Sequence, residues 1–206
     1  MRILEAARIV LSADPDASLD EIAHAAGVAR RTVYGHFPGR TALLEALAAE
    51  ASAVLAGALA NASIPFADPE LAFARFSLAI WPVADRYRMM LALGSRHLGE
   101  DGLRNVIEPA HRLATQIIEQ GQESGAFQRA LPAAVLSDGF SAMTFSLLES
   151  VNQGAWDGDA ADAATTLLSA LGVGSARAGR IVAAALSMRE SADVSRGPQP
   201  DNVRDD

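Results

Sequence analysis

Arginine is the residue here best suited to specific recognition chemistry, and three arginines fall in one window. From Ile22 to Leu44 the chain has no Asp or Glu, while Arg30, Arg31, Arg40, His24 and His36 lie inside it. A guanidinium is a planar fork of donors that bridges guanine O6 and N7, or clamps a phosphate oxygen pair. The net charge of the whole chain is −8, so it is not a general coater of nucleic acid. A local basic face on an acidic protein suits a small DNA-reading surface. On charge alone, chance clustering of solvated arginines accounts for the window about as well.

Catalytic arrangements are missing. The sequence has no Gly-rich phosphate loop, no HExxH pair and no nucleophile elbow. Cysteine is absent, which excludes a disulfide framework, a thiolate metal site and a thiol nucleophile. The 4 histidines are scattered and make no metal site. Glu119 and Glu123 share a helix face, which a solvated surface explains. The expectation is a protein that is not an enzyme and needs no cofactor or metal.

A chain of 206 residues, half of them apolar and 20% charged, is globular in composition. Alanine is abundant and alternating β-branched runs are scarce, which favours helices. The apolar pieces Val54–Ala60 and Ile181–Leu186 are too short to cross a bilayer, and the first residues lack a signal-type apolar core. These features predict no membrane partner and a cytoplasmic location.

The window needs elements to position it. Ile3–Ala13 has helical apolar spacing and is stopped by Asp14-Pro15-Asp16. Ser18 with Glu21 three residues on is a capping box that opens a second helix. Leu19, Ile22, Ala23 and Ala26 form its narrow apolar stripe, and Gly27 stands where a left-handed residue ends it. A third, short helix over Ala29–Phe37 has Val28, Val33 and Phe37 as its inward side. Pro38-Gly39 breaks the chain, and a long fourth helix runs from Arg40 towards Asn61. Two short helices joined by a Gly-containing turn, with a supporting helix before them, describe a helix-turn-helix.

The run from Ser18 to Leu44 closely resembles the signature of the tetracycline-repressor-like (TetR) family of bacterial regulators. Ile22-Ala23, Ala26-Gly27-Val28, Thr32-Val33-Tyr34, His36-Phe37-Pro38 and Ala42-Leu43-Leu44 carry the resemblance. It covers roughly the first 47 residues. Beyond them only the helical layout and Gly121–Pro132, similar to a helix-to-helix joint of that family, match. The resemblance implies an all-α chain, with a three-helix helix-turn-helix DNA-binding domain at 1–47 and a larger effector-binding and dimerisation domain at 48–190. It further implies a homodimer that binds double-stranded operator DNA, by default as a repressor, and a small-molecule effector that changes the separation of the two DNA-binding heads.

Within that frame Arg30 and Arg31 are the candidate base readers, with phosphate contact the alternative. Thr32 suits a phosphate or the helix cap. Tyr34 resembles a phosphate-contacting tyrosine that also packs on the first helix. Gly35 leaves the groove-facing surface bare. His36 resembles a phosphate-contacting position, with a solvated or core-edge histidine the alternative, and Arg40 matches a basic position at the start of the fourth helix, where its side chain and the helix amides can share one phosphate. The link between the first two helices is about two residues shorter than usual in the family, the N-terminal arm is minimal, and Asp20 and Glu21 stand where a basic residue would help. These departures imply modest affinity or reliance on dimer pairing.

Further along, Asp68-Pro69-Glu70 starts a helix expected to stop or kink at Trp81-Pro82. The next runs from Val83 towards His97, followed by a loop at Gly99–Gly102. Helices are expected over Leu103–Glu123, Pro132–Gln153, Asp159–Leu171 and, more weakly, Ala176–Arg189. The polar segment 191–206 reads as a disordered tail. Pro132–Gln153 and Asp159–Leu171, apolar on more than one face, are the candidate dimer helices or else an intrachain core. Trp81, Tyr87, Met89, Met90, Phe140, Met143 and Phe145 are candidates to line a largely apolar effector pocket, or simply core. His97, His111 and Arg112 are its possible polar handles.

Overall fold

The computed structural model describes the backbone of residues 2–62, 64–97 and 99–195, and the side chains of 2–62, 64–93 and 102–189. Every regular element among the described residues is helical: α1 (Arg2–Ala13), α2 (Leu19–Ala25), α3 (Arg30–His36), α4 (Arg40–Asn61), α5 (Pro69–Arg86), α6 (Arg88–His97), α7 (Gly99–Ser124), α8 (Ala133–Asn152), α9 (Ala160–Ala170) and α10 (Ser175–Ser195).

Local signals fix most boundaries. Glu21 N–H donates to Ser18 Oγ at 3.3 Å, and Ser18 N–H donates back to the Glu21 carboxylate at 2.7 Å. Asp68 accepts from Leu71 N–H at 3.1 Å with Pro69 in the first turn of α5. Asp159 caps α9 through the amides of Ala161 and Asp162. In each case a side-chain oxygen satisfies amides that have no partner inside the helix.

Three expectations are corrected by tertiary packing. α5 does not stop at Trp81-Pro82 but continues to Arg86. An interior proline costs about 3 kcal/mol, yet Phe73, Phe76, Leu78 and Trp81 are all buried on this helix, and it packs on α7, α9 and α10. Gly99–Gly102 is not a loop but the start of α7. The glycines cost about 1 kcal/mol each in a helix, a small cost beside the burial of Val106, Ala114, Ile117 and Ile118 further along α7. α10 runs through Ser191 to Ser195, and the remainder of the expected tail, 196–206, lies outside the described residues.

The fourth helix also departs from expectation. α4 is 22 residues long and apolar enough, by length and composition, to cross a membrane. Its location explains the composition: it packs against α1, α5, α6 and α7, burying Leu43, Leu44, Leu47, Ala48, Ala51 and Leu55. It is the element shared by the two halves of the fold.

Buried residues fall into two cores. The lower one joins Leu4, Leu11, Ile22, Val33 and Leu44 of the N-terminal helices to Tyr87, Met90, Val106 and Leu148. The upper one joins Phe73, Ile117, Phe127, Phe140, Leu167 and Val182. At its edge the Gly121 α-carbon lies so close to the Phe127 ring that an added Cβ would stand 2.0 Å from it. Phe127 is pinned in turn, edge-on to Phe73 with ring centroids 6.1 Å apart. Gly121→Ala is therefore expected to destabilise the fold by about 1–3 kcal/mol through overpacking. A lowered denaturation midpoint at unchanged m value checks this, and an unchanged midpoint would refute the packing account.

Candidate nucleic-acid interface and ligand cavity

α2 and α3 form the corner that the sequence predicts. Gly27, at φ +64°, makes the left-handed turn between them, and Val28 N–H donates to Ala23 O at 3.0 Å to close it. Val33 and Phe37 are buried, which fixes the rotation of α3. Arg30, Arg31, Thr32, Tyr34, Gly35 and His36 are thereby left exposed along one edge. A Cβ built at Gly35 meets nothing, so this part of the edge is bare surface.

The arginines differ in their surroundings. Arg30 is ion-paired to Asp20 of α2, with its side chain 71% exposed. Such a pair is worth at most about 1 kcal/mol, so it parks Arg30 without burying it. Arg31 is exposed and makes no ion pair with any described residue. Arg40 is half buried and faces inward. Its Nη1 donates to Ala17 O at 2.7 Å and its Nη2 to Pro15 O. The geometry seen is thus a clamp that ties the start of α4 to the α1–α2 turn. The Asp14-Pro15-Asp16 turn accounts for it. It is closed by Asp16 N–H on Asp14 Oδ1 at 3.0 Å and by Ala17 N–H on Asp14 O at 3.1 Å. Two of its carbonyls then face Arg40.

Above the head, at the seam between the two cores, lies an apolar cavity of about 90 Å³. α4 contributes Ala51 and Leu55, and α5 contributes Phe73, Phe76 and Ile80. Val106, Ala110 and His111 come from α7, Ser137, Phe140, Ser141, Thr144, Phe145 and Leu148 from α8, and Leu167 from α9. Tyr87 and Leu91 close the side nearest the head.

Of the pocket candidates, Tyr87, His111, Phe140 and Phe145 are brought together here. Trp81 instead packs edge-on against Trp156, centroids 5.6 Å apart. Met90 belongs to the lower core and Met143 packs on the upper one. None of these three lines the cavity, because α5, α6 and α8 turn them onto neighbouring helices. Met89 lines a separate groove beside Arg88 and Asn152. Arg112 is exposed and paired with Glu108 at 3.3 Å. The His97 side chain lies outside the described residues. Sequence reading missed Phe73, Phe76, Ser141, Thr144 and Leu148. Their signal is the helical spacing 137-140-141-144-145-148 on α8 and 73-76-80 on α5.

Three of the cavity's polar side chains, His111, Ser137 and Tyr87, are already engaged. His111 Nε2 and Asp138 Oδ1 are 2.9 Å apart, and Ser137 Oγ donates to His111 O at 3.2 Å. The Tyr87 hydroxyl donates to Glu50 Oε1 at 2.9 Å. Burial, and then that carboxylate, push the Tyr87 phenol up to about 12. Among the described residues no cluster of potential ligands could hold a metal ion.

Residues 3–47 match the model of the family described as bacterial regulatory proteins, tetR family. The match covers the helix-turn-helix region, about a fifth of the chain. The chain is 49% identical over 67 residues to the HTH-type transcriptional repressor LfrR of Mycolicibacterium smegmatis, a stretch spanning 32% of this chain and a third of LfrR's length. The crystal structure of LfrR in complex with proflavine covers 84% of this chain and 93% of its own, with a TM-score of 0.66 and 23% identity. That of Bacillus subtilis FadR in complex with stearoyl-CoA covers 83% and 96%, with a TM-score of 0.67 and 15% identity. At these identities the structures establish the fold alone: this chain shares their all-helical architecture, from the helix-turn-helix through the larger C-terminal region.

Arg40 and Arg31 should behave differently when removed. Arg40→Ala deletes two charge-assisted hydrogen bonds and should cost about 1.5–3 kcal/mol. Arg31→Ala touches only surface and should stay within about 0.5 kcal/mol. Denaturation of the two variants side by side checks this. Equal stabilities would remove the clamp.

Proposed function

We propose that this chain is a cytoplasmic transcriptional repressor of the TetR family that binds double-stranded operator DNA as a homodimer and is released by a small, largely apolar effector. The observation that carries the proposal is the α3 edge: a polar strip held outward by buried Val33 and Phe37, on a core that continues to an apolar cavity.

In this reading Arg31 reads base edges, and Arg30 joins it by exchanging Asp20 for a guanine. Thr32, Tyr34 and His36 contact phosphates, and Gly35 admits the backbone of the duplex. Arg40 acts through the clamp. The cavity takes the effector. Its lining is nearly all hydrocarbon, and both of its titratable groups, His111 and Tyr87, are hydrogen-bonded within the protein. That supports a binding role rather than catalysis. LfrR is named a repressor and was crystallised with proflavine, which fits the same division of labour.

The dimer face is assigned to α8 and α10. Leu131 and Val135, each 48% exposed, and Met188, 49% exposed, leave apolar surface there. α9, the other candidate from sequence, packs within its own chain against α5 and α10, with Ala163, Ala164, Leu167 and Leu168 buried. Its small residues let those helices approach.

The test is DNA binding as a function of salt, using duplexes enriched by the purified protein from a random pool. Log affinity should fall against log salt by about 0.9 for each phosphate neutralised. Arg31→Ala should relax sequence preference by about 1–3 kcal/mol at the contacted base pair. Failure to enrich any duplex would overturn the proposal. Light scattering separately checks the dimer, with an expected mass about twice 21.5 kDa. A monomer would refute the α8–α10 face.

A further inference from the structure

At about 90 Å³ the cavity is far below the roughly 300–1,000 Å³ of a small-molecule site. A dry apolar space of about 150 Å³ holds one benzene ring, so the cavity has room for one ring or a short chain at most. Beside it runs an open groove of about 540 Å³. Leu91 of α6 and Phe145 and Leu148 of α8 line both spaces and so form the partition between them. Leu91 and Leu148 are buried, whereas Phe145 is only half buried. Its ring is the part of the partition that can turn aside without moving a helix. The groove itself is partly polar. Arg88 Nε donates to Asn152 Oδ1 at 2.9 Å, and Asn152 Nδ2 donates to Glu149 Oε2 at 3.4 Å, a chain of groove-lining groups that joins α6 to α8. The groove also reaches the head. Pro15 of the α1–α2 turn lines it, and the Pro15 carbonyl is one of the two that hold Arg40.

We propose that the effector occupies both spaces. It is an amphipathic molecule whose apolar end, a single ring or a short chain, enters the cavity past Phe145. Its hydrogen-bonding end stays in the groove with Arg88, Glu149 and Asn152, which offer donors and acceptors that the cavity has already spent. Cavity and groove then form one site of ordinary size, dry at one end and wet at the other. A molecule seated in this way touches the α1–α2 turn directly, so its arrival bears on the head without passing through the packed lower core. The inference rests on the reading of the cavity as an effector site, and it adds the class of effector and the second half of that site.

Two probes test this by calorimetric titration of the full chain: benzene, and phenylbutanol, in which a short methylene chain joins the ring to a hydroxyl. Phenylbutanol should bind wild type about tenfold more tightly than benzene or better, because its methylenes are buried along the groove. Met89 lines the groove alone and Thr144 the cavity alone. Met89→Trp fills the groove, and should weaken phenylbutanol by about tenfold while leaving benzene at wild-type affinity. The retained benzene site shows at the same time that this variant is folded. Leu103→Trp fills the groove from α7 and should repeat the result. Thr144→Phe fills the cavity and should weaken both probes. Phenylbutanol affinity unchanged by both groove variants, or no tighter than that of benzene in wild type, would overturn the two-part site. So would a failure of phenylbutanol to bind at all. None of these titrations involves DNA. A chain that binds the probes in the expected pattern but enriches no duplex would overturn the regulator reading alone.

Discussion

Continuous apolar contact between the recognition helices and the base of the larger region is the constraint from which the rest follows. Leu11, Ile22, Val33 and Leu44 sit in the same core as Tyr87, Met90 and Leu148. Such a core is close-packed and has few ways to shift except as a block. The exposed edge of α3 therefore has a defined direction relative to the cavity, although no side chain spans the distance between them. α4 carries this relation. Its small residues let α1, α5, α6 and α7 approach it, and that explains why its composition is apolar enough to suggest a membrane.

The polar devices in the head play a different part. The Ser18–Glu21 capping box and the Arg40 clamp set where helices begin and how the α1–α2 turn closes. They contribute little to the bulk of the fold, but they prevent the alternatives. A half-turn error at α2 or at α4 would rotate Val33 out and Arg31 in. Glu21 illustrates the local nature of such devices. Its carboxyl lies below its ordinary range because the Ser18 hydroxyl and amide both donate to it.

Legibility from sequence tracked the range of the interaction that decides each feature. Ser18, Gly27, Asp68, Pro132 and Asp159 act within a turn of their own position, and the elements they delimit were readable to within a residue or two. Pro82 and Gly99 were misread because long-range burial overrode their local preference. Arg40 was read correctly as basic and at a helix start, but its partners lie more than twenty residues away in a turn of unusual length. The cavity was partly legible. Tyr87, His111 and Phe140 were found by residue type, while Trp81, Met90 and Met143 have the same character and face elsewhere. Residue type alone does not give the rotation of a helix. The spacing of Ser137, Phe140, Ser141, Thr144 and Leu148 does, once α8 is known to be a wall.

The shared lower core also bears on how such a chain can change over generations. The boundary drawn at residue 47 is a boundary of sequence similarity, not of cohesion. Cut there, the first helices with Leu43, Leu44 and Leu47 would lose Tyr87, Met90, Val106 and Leu148 from the core they share. A recognition unit of this kind is not a portable cassette. Altered operator preference has to arise on the outward edge of α3, one exposed residue at a time. Exchange of the whole unit between relatives would have to bring α4 and its neighbours along.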